Sequence, residues 1–128
     1  MNTPLEEIAR KIGSRRRLFY ASLELTYACN FACRFCYNPV ERPGQGRDHW
    51  HSSEPGGDPL SLDEILKLMN RLREGGVMYF TLTGGEPMVH PRFWEVAEKA
   101  KQLAFALRVF TNGSLIDRDA ADRFERLM

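Results

Sequence analysis

The sequence CNFACRFC, residues 29–36, contains every cysteine of the chain and follows its first predicted strand. Cys29, Cys33 and Cys36 have the spacing C-x3-C-x2-C. Thiolates are soft ligands that select iron–sulfur clusters, zinc or copper over hard cations. A cubane iron–sulfur cluster normally takes four cysteines, so three would hold three irons and leave the last iron open to another ligand. The octapeptide therefore predicts a metal centre with an open coordination position.

Zinc is the main alternative that the residues leave open. A Cys3His zinc site needs one histidine, and His49, His51 or His90 would be available as that fourth ligand. Zinc modules usually combine two C-x2-C pairs, whereas this chain has one such pair. The spacing of the cysteines favours the cluster over zinc without deciding between them.

Outward from the octapeptide, strand patterns alternate with helix patterns. Residues 19–26, 77–83 and 105–111 are rich in β-branched, aromatic and aliphatic residues, which predicts three strands. Alternating strands and helices predict an α/β fold with a parallel sheet and right-handed connections. In such folds ligands bind at the carboxyl ends of the strands, where the octapeptide lies.

Start signals and apolar periodicity place the helices. A short helix precedes the first strand, a capping box from Ser61 to Glu64 opens the next, Pro91 starts another and Asp117 can cap the last. The residues expected to face the core are Leu62, Ile65, Leu66, Met69 and Leu72, then Phe93, Val96, Ala97, Ala100 and Leu103, and finally Ala121, Phe124, Leu127 and Met128.

Two further motifs follow the second and third strands. The sequence GGEP occupies residues 84–87, and TNG occupies residues 111–113. Glycines let the main chain approach a ligand closely, and carbonyl and carboxylate oxygens can accept hydrogen bonds from an ammonium group. Each motif alone is also compatible with an ordinary tight turn. Both are expected at the same edge of the sheet as the cysteines.

Taken together, these motifs resemble those of the radical S-adenosylmethionine (radical SAM) family over roughly residues 19–127. The resemblance implies a partial (β/α)6 barrel, and the short helix predicted from the sequence would precede it. Residues 1–17 would be that helix and a basic connector. Residues 18–128 would be the radical SAM core, incomplete because it has three βα units.

The resemblance also implies a site and a reaction. Cys29, Cys33 and Cys36 would hold a [4Fe–4S] cluster, and the amino and carboxylate groups of SAM would bind its fourth iron. Phe35 would lie beside the adenine, and the residues that would bind the methionine amino group are Gly84, Gly85, Glu86 and Pro87. Thr111 and Asn112 would line the pocket near SAM or substrate. The activity implied is reductive cleavage of SAM to a 5′-deoxyadenosyl radical.

The sequence LELTY, residues 23–27, resembles the branch of the family that matures peptides and cofactor precursors. A peptide or small-molecule substrate and an electron donor of the ferredoxin or flavodoxin type are the partners implied. A non-catalytic truncated fragment remains the other alternative, because the later strands of the family domain are not in the sequence.

Composition excludes several other classes of function. The chain has 128 residues, with 18 basic and 17 acidic side chains and a formal charge of +1. This balance gives no electrostatic footprint for nucleic acid or an anionic membrane, and no apolar run is long enough to span a bilayer. The N-terminus has no signal-peptide pattern. Three thiols in one short loop fit a reducing compartment, so a cytoplasmic location is expected.

Overall fold

The computed structural model describes residues 4–14, 18–31, 33–37 and 60–127. Over these ranges a helix is followed by three strand–helix units, which confirms the predicted order. The elements are α1 (Pro4–Ser14), β1 (Tyr20–Thr26), α2 (Leu62–Glu74), β2 (Tyr79–Gly84), a short 3₁₀ helix (Pro87–Val89), α3 (Phe93–Gln102), β3 (Ala106–Val109) and α4 (Arg118–Leu127). The basic connector at residues 15–17 and residues 38–59, with His49 and His51, lie outside the described residues.

The strands form one parallel sheet in the order β1-β2-β3. Ser22 pairs with Thr81, and Thr81 pairs with Arg108, so equivalent positions align across all three strands. The register shifts between Glu24 and Thr26, at the end of β1. Because the strands are parallel, the segments that follow them leave from one side of the sheet. We call this side the carboxyl edge; it carries residues 27–31, 33–37, 85–90 and 110–117.

Helices α2 and α3 cover one face of the sheet and bury the central strand. Phe80 and Leu82 of β2 are fully buried against Met69 of α2 and Val96 of α3. The Phe80 ring also stacks on Phe105, with 5.1 Å between centroids. β2 is therefore the most deeply buried strand of the sheet, which explains why its sequence is nearly continuously apolar. None of the helices in these described ranges is long and apolar enough to cross a membrane.

Both helix caps expected from the sequence are confirmed. At α2 the Glu64 amide donates to Ser61 Oγ (3.3 Å), and the Ser61 amide donates to Glu64 Oε2 (2.8 Å). The Ser61 hydroxyl, followed by the Ser61 amide, lowers the pKa of Glu64 from its ordinary value. At α4 the Ala120 amide donates to Asp117 Oδ1 (2.8 Å).

Three details differ from the sequence-based expectation. Ala121 was expected to face the core, but it is exposed and Ala120 is buried instead. Ala120 lies four residues before Phe124 and seven before Leu127, which is the spacing of a single helix face. α3 begins at Phe93, two residues after the expected start at Pro91, and the 3₁₀ helix that begins at Pro87 was not anticipated.

Candidate functional site

The GGEP segment continues the pairing of β2 with β1 beyond the strands. The Gly85 amide donates to the Thr26 carbonyl (2.7 Å), and the Glu86 amide donates to the Ala28 carbonyl (2.9 Å). Ala28 immediately precedes Cys29, so the main chain of GGEP holds the start of the cysteine loop, residues 28–37. The cysteine loop and GGEP are therefore in direct contact.

The two glycines are required by this contact. A Cβ on Gly84, which has φ +126°, would lie 2.2 Å from the Thr26 carbonyl oxygen. A Cβ on Gly85 would lie 2.3 Å from the Ala28 oxygen and 2.6 Å from the Tyr27 oxygen. The sequence interpretation assigned the glycines to the approach of a ligand. In the structure, the group that approaches them is the main chain leading to the cysteines.

Glu86 links the ends of β2 and β3. Its side chain is fully buried, and Oε1 accepts hydrogen bonds from the Met88 amide (3.0 Å) and the Thr111 hydroxyl (2.9 Å). Oε2 accepts one from the Asn112 amide (2.7 Å). The carboxylate thus serves as N-cap of the 3₁₀ helix and as the fixed point of the TNG turn.

The cysteine loop carries three thiols in different environments. Cys29 and Cys36 are half-buried and Cys33 is exposed. The Cys36 amide donates to the Cys33 carbonyl (3.2 Å), which forms a turn, and the Phe31 amide lies 3.4 Å from Cys29 Sγ as a donor. Amide hydrogen bonds to sulfur are a feature that tunes iron–sulfur clusters. The loop therefore offers both thiols that can bind iron and a main-chain amide that can donate to a ligand sulfur.

Within the described ranges, no group of three or more His, Cys, Asp or Glu side chains is arranged to hold a metal ion. His90, a candidate ligand in the zinc alternative, uses Nδ1 to accept a hydrogen bond from the Arg92 amide (3.2 Å). Burial, with a smaller contribution from Arg92, lowers the pKa of His90. The other two candidate histidines, His49 and His51, lie outside the described part of the chain.

Phe35 is the most exposed of the aromatic side chains on the cysteine loop, with 92% of its surface accessible. The Arg34 guanidinium lies 5.8 Å from the centroid of its ring. An exposed aromatic face of this kind can stack on a base. Nothing in the fold of the described residues buries this ring, so it is available to a ligand.

Two residues at this edge were not anticipated from the sequence. Asn30 of the cysteine loop accepts a hydrogen bond from Asn112 Nδ2 (2.9 Å) and donates one to Ser114 Oγ (2.8 Å). The structure thereby brings the cysteine loop, GGEP and TNG together through direct hydrogen bonds. The sequence pointed to Asn30 only through its place between Cys29 and Cys33, and nothing in the sequence pointed to Ser114.

The face of the sheet opposite the helices is polar. Ser22, Thr81 and Arg108 occupy equivalent positions on neighbouring strands of this face. The Thr81 hydroxyl, followed by that of Ser22 and the charge of Arg108, lowers the pKa of Tyr20. Thr81 Oγ1 itself is buried without a well-formed hydrogen bond to any described residue. Of these three residues, Ser22 and Arg108 are exposed on this face, and Thr81 is buried between them.

Comparison with known proteins identifies the family of the chain. A family model described as the radical SAM superfamily matches residues 23–128. A tungsten-containing aldehyde ferredoxin oxidoreductase cofactor-modifying protein of Pyrococcus furiosus is 35% identical over 100 residues, covering 76% of this chain and 24% of that protein. PqqA peptide cyclase of Granulibacter bethesdensis is 31% identical over 100 residues, which cover 78% of this chain and 24% of the cyclase.

Solved structures share the fold. Streptococcus suis SuiB bound to the precursor peptide SuiA superimposes with a TM-score of 0.65 and 16% identity, covering 96% of this chain and 27% of SuiB. SuiB bound to S-adenosylmethionine gives a TM-score of 0.55 and 18% identity. The chain thus spans about a quarter of the length of the curated relatives quoted, at 24% of each. From the family match over residues 23–128, the chain belongs to the radical SAM superfamily.

Proposed function

We propose that residues 18–128 form the part of a radical SAM enzyme that holds the cluster and the methionine end of SAM. The observation that carries this proposal is the direct contact between the cysteine loop and GGEP, through the Glu86 amide and the Ala28 carbonyl. The two motifs need to be adjacent if one holds a cluster and the other holds a ligand of that cluster. When bound, the cluster and SAM supply one-electron chemistry, the reductive cleavage of SAM to a 5′-deoxyadenosyl radical.

In this proposal Cys29, Cys33 and Cys36 hold three irons of a [4Fe–4S] cluster through their thiolates. The main chain of Gly84–Pro87 provides acceptors for the methionine amino group, and the buried Glu86 carboxylate keeps that turn in place. Phe35 stacks on the adenine. Thr111 and Asn112 line the pocket from β3, held there by Glu86.

The names of similar proteins support a substrate class for this proposal. Proteins similar to this chain are named for the maturation of mycofactocin and the cyclisation of the PqqA peptide. We therefore propose a peptide or cofactor-precursor substrate for the whole protein. A small ferredoxin or flavodoxin would deliver the electron in the cytoplasm.

Anaerobic reconstitution with iron and sulfide tests the cluster. The chain should become brown and carry about four irons if a cubane forms, and single Ala substitutions of Cys29, Cys33 or Cys36 should abolish the colour. Phe35→Ala is the matched control on the same loop; it should keep the iron and change only the response of the EPR spectrum to SAM. Tight stoichiometric zinc, with colour unaffected by the cysteine substitutions, would overturn the proposal in favour of a zinc module.

A further inference from the structure

We propose that Asn30, Asn112 and Ser114 form a positioning device for the cysteine loop, which we call the amide ring. Asn112 Nδ2 donates to Asn30 Oδ1 (2.9 Å), Asn30 Nδ2 donates to Ser114 Oγ (2.8 Å), and Ser114 Oγ donates to Asn112 Oδ1 (2.7 Å). Each of the three side chains therefore donates one hydrogen bond and accepts another within a closed cycle. All three bonds lie at the surface, where water competes for them.

One corner of the amide ring is fixed to the interior of the protein. The main-chain amide of Asn112 donates to the buried carboxylate of Glu86 (2.7 Å). The Ser114 amide also donates to Asn112 Oδ1 (2.9 Å), so the turn after β3 has hydrogen bonds of its own that do not involve Asn30. Asn30 contributes the only side chain from the cysteine loop to the ring. It is thus the residue through which the turn after β3 acts on that loop.

The position of Asn30 explains what the ring would control. Asn30 lies between Cys29 and Phe31, whose amide donates to Cys29 Sγ (3.4 Å). Fixing the Asn30 side chain fixes the orientation of the peptide groups on either side of it, and hence the direction of that amide. The ring would therefore set both the mobility of the Cys29 thiol and its hydrogen bond. The importance of that hydrogen bond rests on the proposed function, because hydrogen bonds to the sulfurs of ligand cysteines tune a cluster.

The cycle makes a prediction about pairs of substitutions. Asn30→Ala removes both hydrogen bonds that cross between the loops, whereas Ser114→Ala removes one of them. Because Asn30→Ala already breaks every cross-loop bond of the ring, adding Ser114→Ala to it should change nothing further at the cysteine loop. Independent surface contacts would give effects that multiply instead.

The first test uses the metal-free chain and measures the alkylation rate of each cysteine by mass spectrometry. Alkylation of the half-buried Cys29 reports local opening of the loop, and exposed Cys33 is an internal reference. Each cross-loop bond should contribute about a factor of three, the weak end of the hydrogen-bond range because water competes. Asn30→Ala and the double variant should therefore both accelerate Cys29 about tenfold, and Ser114→Ala about threefold.

Two controls separate positioning from general loosening. Ser114→Thr keeps the hydroxyl and should restore the wild-type rate. Asn70→Ala removes another asparagine side-chain hydrogen bond, the one to the Leu66 carbonyl in α2, and should leave Cys29 unaffected. The proposal would be overturned if Cys29 in Asn30→Ala were alkylated at the wild-type rate. It would also be overturned if adding Ser114→Ala to Asn30→Ala raised the alkylation rate by the same factor as Ser114→Ala alone.

The second test uses the chain after reconstitution with iron and sulfide. Asn30→Ala should keep the iron content of the wild type and alter the EPR spectrum of the reduced cluster, while Ser114→Thr should leave that spectrum unchanged. If the EPR spectrum of Asn30→Ala is unchanged, the amide ring does not tune the cluster. If no cluster forms in any variant, the proposed function fails while the alkylation result still decides the positioning role.

Discussion

Replacing Gly85 with alanine places a methyl group where the main chain before Cys29 already lies. The new Cβ would be 2.3 Å from the Ala28 oxygen and 2.6 Å from the Tyr27 oxygen. Gly85 is not among the residues with positive φ, so the cost is steric and not conformational. Both atoms it meets belong to the main chain, so rotating a side chain cannot relieve the contact. The two segments have to separate.

The free-energy cost of this separation can be estimated from the contacts that are disturbed. Forcing a methyl group into a filled space typically costs about 1–3 kcal/mol. Moving the segments apart also weakens the bonds from the Gly85 amide to Thr26 (2.7 Å) and from the Glu86 amide to Ala28 (2.9 Å), each of which contributes about 1 kcal/mol. We therefore expect Gly85→Ala to lower the free energy of unfolding by about 3–5 kcal/mol.

Urea denaturation followed by circular dichroism measures this loss. With an m-value of about 1–3 kcal/mol/M, the midpoint should fall by about 1 M or more. Gly13→Ala in α1 is the matched control, since a Cβ there meets nothing within 4 Å. It should not destabilise the chain, because alanine is favoured over glycine in a helix by roughly 0.5–1 kcal/mol. If Gly85→Ala is as stable as wild type, the two main chains do not approach as the structure shows.

Three further predictions concern carboxylates. Glu86→Gln replaces one carboxylate oxygen, which accepts hydrogen bonds, with an NH2 group that would face donors, so it should lower the free energy of unfolding by about 1–3 kcal/mol; an effect no larger than that of exposed Glu95→Gln would contradict this. Asp117→Ala should cost about 1 kcal/mol by removing the cap of α4, measured by thermal denaturation, whereas Asp122→Ala in the same helix should cost less; equal losses would count against the cap. The pKa of Glu64 is lowered from 4.5 by Ser61, so its ionised form stabilises the fold above that pH. The stability advantage of wild type over Glu64→Gln should be present at neutral pH and disappear as the pH falls through the lowered pKa; a constant difference would refute the assignment.

The order of elements could be predicted from the sequence because its signals are local. The capping box at Ser61 and the cap at Asp117 each depend on residues a few positions apart, and the apolar run of β2 reports burial directly. The parallel arrangement then follows from the alternation of strands and helices. These features place the cysteines, GGEP and TNG at one edge without any knowledge of a contact between them.

The contacts within that edge could not be predicted, because they join residues far apart in sequence. The bond between Asn112 and Asn30 spans 82 positions, and a polar residue in a loop gives no sign of its partner. Glu86 illustrates the same limit. Its sequence context indicates a carboxylate near a ligand, and only the fold shows that this carboxylate is buried and accepts hydrogen bonds from Met88, Thr111 and Asn112.

The coupling of the motifs changes how substitutions in GGEP have to be interpreted. From the sequence alone, a bulky residue at Gly85 is expected to block a ligand and spare the cysteine ligands. In the structure the same residue would meet Ala28, next to Cys29, so it would displace the cysteine loop as well. A loss of response to SAM in a Gly85 variant is therefore ambiguous by itself. It identifies a ligand-binding role only if iron content and Cys29 reactivity stay at their wild-type values, and the close approach of the two main chains predicts that they will not.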